Sequence, residues 1–182
     1  MVGVAADKRG NKTVRDLVLS LVIIGAVVGL IYIFIPHDSK ADPTVPVSFS
    51  VELGQARRDA PYAVAGPEGL SAGWRATSVQ YDASDSTNVT WHIGFLDPEK
   101  QYIAVEQSNA TADPYISSVT FGAVRDGNRT VTAGGLVWDS YKGSKYNALV
   151  RKEKGVTTIV LGTGTEGQLT QMAAALRERG GH

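Results

Sequence analysis

The chain of 182 residues contains no cysteine. That excludes disulfides, zinc–thiolate sites, thiol nucleophiles and a cysteine-linked lipid anchor. Charge of one sign is also missing, since 18 Lys and Arg balance 18 Asp and Glu. A nucleic-acid binder normally carries a basic excess, so no nucleic-acid partner is expected. Charged residues amount to 20% and hydrophobic ones to 43%. The chain is therefore too apolar to be disordered and too polar to be wholly embedded in a membrane. Histidine is scarce: His37, His92 and His182 are the only three. HExxH and SxxK are absent, so neither a zinc protease nor an SxxK acyl enzyme is indicated.

What is present begins with one long apolar run. Leu17 to Ile35 reads LVLSLVIIGAVVGLIYIFI, nineteen residues with no charge. As a helix it would be about 28 Å long, close to the roughly 30 Å hydrocarbon core of a bilayer. Lys8, Arg9, Lys12 and Arg15 precede it and only Lys40 follows closely. This asymmetry predicts a cytoplasmic N-terminus. The expected organisation is a basic cytoplasmic tail (1–16), a transmembrane helix (17–35), a tether (36–46) and an extracytoplasmic domain (47–182). The predicted location is the plasma membrane, with the bilayer as partner through 17–35. A cleaved signal peptide ending at Ala41 is the competing reading, but its apolar core is usually about 7–15 residues. Gly25 and Gly29 form a GxxxG, a candidate contact for a second helix from a homodimer or another protein.

Beyond residue 37 there are 14 basic and 16 acidic residues, so the outer domain has little electrostatic bias. Val45, Val47, Phe49, Val51 and Leu53 alternate with mostly polar neighbours, predicting a strand. A short helix is expected from Gln55 to Ala60, stopped by Pro61. Strands are expected at 74–81, 88–96 and 102–107, with polar turns at 82–87 and 97–100 making a meander. Asp113-Pro114 predicts a helix to about Gly122. A second meander follows at 130–132, 136–141, 146–151 and 156–161, the last nearly continuous in apolar residues and so central. Thr165 and Gln168 form a capping box opening a helix from Glu166 to Arg179, with Gly180 beyond its end. The predicted fold class is α+β: an antiparallel sheet with helices packed on one side. The repeated order of strands then helix, with Trp74 and Trp138 early in each unit, suggests a degenerate duplication.

Several patterns bear on function. Gly162-Thr-Gly-Thr-Glu-Gly167 fits GxGxxG, but the chain ends before the acidic residue that a dinucleotide site requires. It reads as a turn into a capped helix, and no cofactor is expected. Asp82 to Asn88 faintly resembles a calcium loop, yet lacks the glycine at its sixth position and has Ile93 at its twelfth. No metal is expected. His92, on the strand face opposite Trp91 and Ile93, is the one candidate pocket residue, with Glu106 or Asp139 as candidate acidic partners. The hairpin carrying Lys142, Lys145, Arg151, Lys152 and Lys154, beside Trp138 and Tyr141, supplies a candidate partner surface: Trp138, Tyr141, Lys142, Lys145 and Arg151.

Gly73-Trp74-Arg75-Ala76-Thr77, Trp91-His92-Ile93-Gly94-Phe95 and Gln101-Tyr102-Ile103-Ala104-Val105-Glu106-Gln107 stand in order along the chain. Trp138-Asp139-Ser140-Tyr141 and Thr157-Thr158-Ile159-Val160-Leu161-Gly162-Thr163 come after them. Together they resemble the domain-of-unknown-function family 4245, small single-span envelope proteins of actinobacteria, over most of residues 15–178. The resemblance implies a single-pass membrane protein with an outward domain, and implies no activity. The expected function is a non-enzymatic, membrane-anchored binding or accessory module of the cell envelope. The alternative is an envelope hydrolase or small-ligand receptor with a pocket between sheet and helices.

Overall fold

The structure, a computed structural model, describes residues 17–24 and 48–181. By its contacts the chain divides between Pro43 and Thr44. Residues 17–24 are helical with every side chain exposed. No helix among the described residues is long and apolar enough to cross a membrane. The rest of the 17–35 run, with Gly25 and Gly29, and the 36–46 tether lie outside the described residues.

In the second unit the alternating segments pair as a seven-stranded antiparallel sheet. Its strands are β2 (Arg75–Asp82), β3 (Thr90–Leu96), β4 (Tyr102–Ser108), β5 (Val124–Ala133), β6 (Leu136–Lys142), β7 (Asn147–Glu153) and β8 (Val156–Gly162). The order β2-β3-β4-β8-β7-β6-β5 joins two meanders at β4–β8, so β8 is central. A separate ribbon pairs β1 (Val64–Pro67) with β9 (Leu176–Arg179). Strand alternation gives the sheet two apolar faces. On one, Trp91, Ile93, Phe95, Ile103, Val105, Trp138, Leu149 and Val160 are covered by α1 (Ser50–Asp59), the ribbon and α3 (Glu166–Ala175). On the other, Ala104, Ala148, Val150, Ile159 and Leu161 are covered by Ile116 of α2 (Ala112–Val119).

Four expectations need correction. The alternation through Val51 and Leu53 does not make a strand, because α1 runs over those residues. Phe49, Leu53, Ala56 and Ala60 fall on one helical face against the core, leaving Val51 74% exposed. Helical and strand periods both fit this short segment, and the helix buries more. The last helix stops at Ala175, not Arg179. Leu176 turns extended and the chain pairs with β1, Pro67 opposite Leu176 through Val64 opposite Arg179. Tertiary pairing there overrides the helix propensity of Leu-Arg-Glu-Arg. Helices also occupy both sides of the sheet, since the β4–β5 connection carries α2 over the face opposite α3. That placement excludes a duplication that carries the helices along with the strands. A two-fold axis normal to the sheet could relate β4 to β8, but it would put α2 and α3 on the same face.

One buried side chain stitches the ribbon to the sheet. Gln107 accepts from Ala65 N–H (2.7 Å) and donates to Ala63 O (3.3 Å) and to Thr158 Oγ1 (3.0 Å). Trp91 Nε1 donates to Ala65 O at 2.9 Å. The meander that β1 backs is thereby held rigid from its core side, beneath His92 and Glu106.

Candidate functional site

The register of the first meander sets His92 opposite Glu106 on β4 and Gln80 on β2. Strict alternation would put Ala76 and Ser78 on one face. A bulge between them shifts the register by one residue, so Ala76 enters the core while Ser78 pairs with Gly94 on the His92 face. Re-aiming a side chain is what a bulge does in an antiparallel pair. The result is a chain of three side chains across three strands. Ser78 Oγ lies 2.8 Å from His92 Nε2, and His92 Nδ1 lies 2.6 Å from Glu106 Oε1. An ionised carboxylate only accepts, so Nδ1 carries the proton; in the neutral ring Nε2 then accepts from the serine hydroxyl. The His92 and Glu106 side chains are 24% and 14% exposed, open enough to meet solvent and closed enough to hold their geometry.

Glycine and two phenols complete the surroundings. A Cβ on Gly94 would stand 2.5 Å from Ser78 Oγ and 3.1 Å from the Tyr102 hydroxyl, so glycine makes room for both. Burial, and then the nearby Glu106 charge, push the Tyr102 hydroxyl up to about 12, against an opposing hydrogen bond with Ser78. Tyr115 of α2 points its hydroxyl at Glu106 Oε2 (3.4 Å) and donates to Gln107 O (3.2 Å). Burial, and after it Glu106, raises it further still. Both phenols therefore remain protonated donors at neutral pH.

Tyr102 also leads to a second group, its ring 5.9 Å from that of Tyr146. Phe121 packs edge-on to Tyr146 at 5.6 Å, and Lys145 Nζ sits 3.5 Å above the Phe121 ring and 4.9 Å from that of Tyr146. Phe121 is 59% exposed and has φ of 57°. It occupies the left-handed position that ends α2: Gly122 N–H bonds Ser117 O (2.8 Å) and Phe121 N–H bonds Ser118 O (3.3 Å). This is the Schellman arrangement, in which that residue is usually glycine.

The five residues expected to share one partner surface do not come together. Trp138 is 1% exposed on the α3 side, with the buried Arg151 guanidinium 5.2 Å from its ring and paired to Glu178 and Glu153. Tyr141 is buried on the α2 side. Lys142 is exposed and pairs with Asp126 at 3.0 Å. Only Lys145 joins an exposed aromatic group. Asp139 binds Arg125 (2.6 Å), leaving Glu106 as the carboxylate that meets His92.

Other motifs resolve as turns. Gly164 precedes the Thr165–Gln168 capping box and Gly167 lies within it, and every strand pair among the described residues is antiparallel, so the GxGxxG has no parallel β-α-β unit around it. Asp82 and Asp85 accept from Ser84 N–H and Thr87 N–H, both at 2.8 Å. Hydrogen bonds from Ser84 and Thr87 hold these carboxyls below the usual range. Among the described residues no three His, Asp or Glu are grouped to hold a metal. Gly69-Leu-Ser71-Ala-Gly73 does fit GxSxG, a pattern that sequence reasoning missed. It lies between two strands with Ser71 exposed on a groove of about 630 Å³ with Trp74 and Phe95. A nucleophile elbow needs a strand-to-helix turn, so Ser71 is not one. Ser78 was also missed, because the bulge between Ala76 and Ser78 that aims it at His92 gives no sign in the sequence.

No curated protein matches this chain in sequence. The profile of the family described as protein of unknown function (DUF4245) matches residues 9–176, and the chain belongs to that family.

Proposed function

We propose that this is a single-pass plasma-membrane protein, N-terminus cytoplasmic, whose outward domain docks on an acidic surface of another protein as an accessory module. The observation that carries the docking reading is Phe121. A left-handed backbone at a residue with a side chain costs about 1–2 kcal/mol, which glycine avoids. Here an exposed phenylalanine stands in that position with an ammonium over its ring. Stability alone would favour glycine, so the ring is better explained by what it touches outside the domain. Lys142 and Lys152 each face an aspartate, whereas the Lys145 ammonium rests on two aromatic faces. Its remaining donors suit a partner carboxylate, and an exposed aromatic beside a cation is a common interface anchor. Membrane tethering draws support from the uncharged run 17–35 and its basic N-terminal flank.

The test is purification of the full chain from native membranes in mild detergent, with a photo-crosslinker next to Phe121. Phe121→Gly and Lys145→Glu should each lose the crosslinked partner while keeping the thermal midpoint within a few degrees. Recovery of a lone protomer, adducts only to lipid, or capture indifferent to both changes would overturn the docking reading.

A further inference from the structure

We infer that Ser78, His92 and Glu106 form a nucleophilic site that hydrolyses esters of short acyl chains, an activity independent of the docking reading. The arrangement has the parts that acyl transfer requires: a hydroxyl within hydrogen-bond reach of one imidazole nitrogen, and a carboxylate on the other. The same constellation, with aspartate or glutamate, occurs on unrelated folds and is recognised by geometry, not by position in the chain. Three structural choices converge on it. The bulge turns Ser78 toward His92, Gly94 vacates the space its Oγ occupies, and Tyr115 holds the far oxygen of Glu106. A purely structural histidine needs none of the three.

In the reaction, Ser78 Oγ attacks the ester carbonyl and forms a C–O bond as its proton passes to His92 Nε2. The Tyr102 hydroxyl, close beside Ser78 and kept protonated by burial, donates to the carbonyl oxygen as negative charge develops there. The bond to the alcohol then breaks, and the departing oxygen takes the proton from Nε2. Water adds to the acyl-serine, giving its proton to Nε2. The Oγ–acyl bond breaks and the proton returns to Oγ, so ester and water become carboxylic acid and alcohol. Glu106 is a positioning residue that keeps the imidazole in the productive tautomer. The acyl group is short because the Tyr102 ring closes directly on the serine. The larger grooves, of about 630 and 510 Å³, open on the opposite face of the sheet.

The full chain in mild detergent is treated with a fluorophosphonate probe, digested and mapped by mass, and separately assayed with acetyl, butyryl and octanoyl nitrophenyl esters. One adduct on the peptide holding Ser78 is expected, together with turnover that falls as the acyl chain lengthens. Ser78→Ala should abolish both, and His92→Ala should lower kcat by about 100-fold or more. Glu106→Gln should lower kcat by a similar factor with KM unchanged. A merely structural Glu106 would lower the thermal midpoint and leave kcat alone. No adduct, an adduct elsewhere, or turnover that survives Ser78→Ala overturns the proposal. Preference for octanoyl overturns the substrate class. Mapping of the wild-type adduct stands even if a variant fails to fold.

Discussion

Gly94→Ala tests the geometry of the serine–histidine–glutamate chain without touching any of its three members. The added methyl would lie 2.5 Å from Ser78 Oγ and 3.1 Å from Tyr102, both far ends of side chains, so the strand can persist while the hydroxyl is pushed aside. Overpacking of this kind costs about 1–3 kcal/mol. Losing the Ser78–His92 hydrogen bond adds about 0.5–1.5 kcal/mol. Replacing a strand glycine by alanine returns about 0.5–1 kcal/mol. The expected net loss is about 0.5–4 kcal/mol, centred near 2, read from urea unfolding of residues 44–182. Ser78→Ala removes the atom that clashes. In that background Gly94→Ala should cost at least about 1 kcal/mol less, a coupling that a double-mutant cycle isolates. Equal costs in both backgrounds, or a stabilised Gly94→Ala, would refute the placement of the serine hydroxyl in the glycine notch.

Gln107→Leu should destabilise the domain by about 2–4 kcal/mol in the same assay, because Ala65 N–H and Thr158 lose a buried partner and cannot reach water. The Glu178 carboxyl is raised above 4.5 by burial, with Arg151 opposing. The folded state thus holds that proton more tightly than the unfolded chain, and this contribution is present at low pH and lost as pH climbs through the folded-state value. Glu178→Gln should flatten that decline in thermal midpoints measured across the carboxyl range.

Most of the seven-stranded sheet was legible because its strands are separated by polar turns such as Asp97 to Lys100, whereas β5, expected only at 130–132, runs from Val124 to Ala133. The same turns fix the register that sets His92 against Glu106, which the sequence offered only as one of two acidic candidates beside Asp139. Ser78 could not be named, because a bulge is a one-residue slip that leaves no mark on composition and inverts the face of every later residue in its strand. The β1–β9 ribbon was hidden for a different reason. Val-Ala-Gly-Pro reads as loop, Leu-Arg-Glu-Arg reads as helix, and only their pairing makes both extended. The aromatic–cation group was half visible: Lys145 was one of five basic residues on its hairpin with nothing to set it apart, whereas Phe121 sits where helix-end rules lead one to look for glycine.

A chain without cysteine permits a direct measurement of the proposed membrane-tethered, outward-facing arrangement. Val137→Cys on the exposed face of β6 and Lys8→Cys in the basic tail each introduce a single thiol. With a maleimide that cannot cross membranes, Val137→Cys should label in intact cells and Lys8→Cys only after permeabilisation. Labelling in the reverse order, or release of the full-length chain into the soluble fraction on lysis, would contradict it.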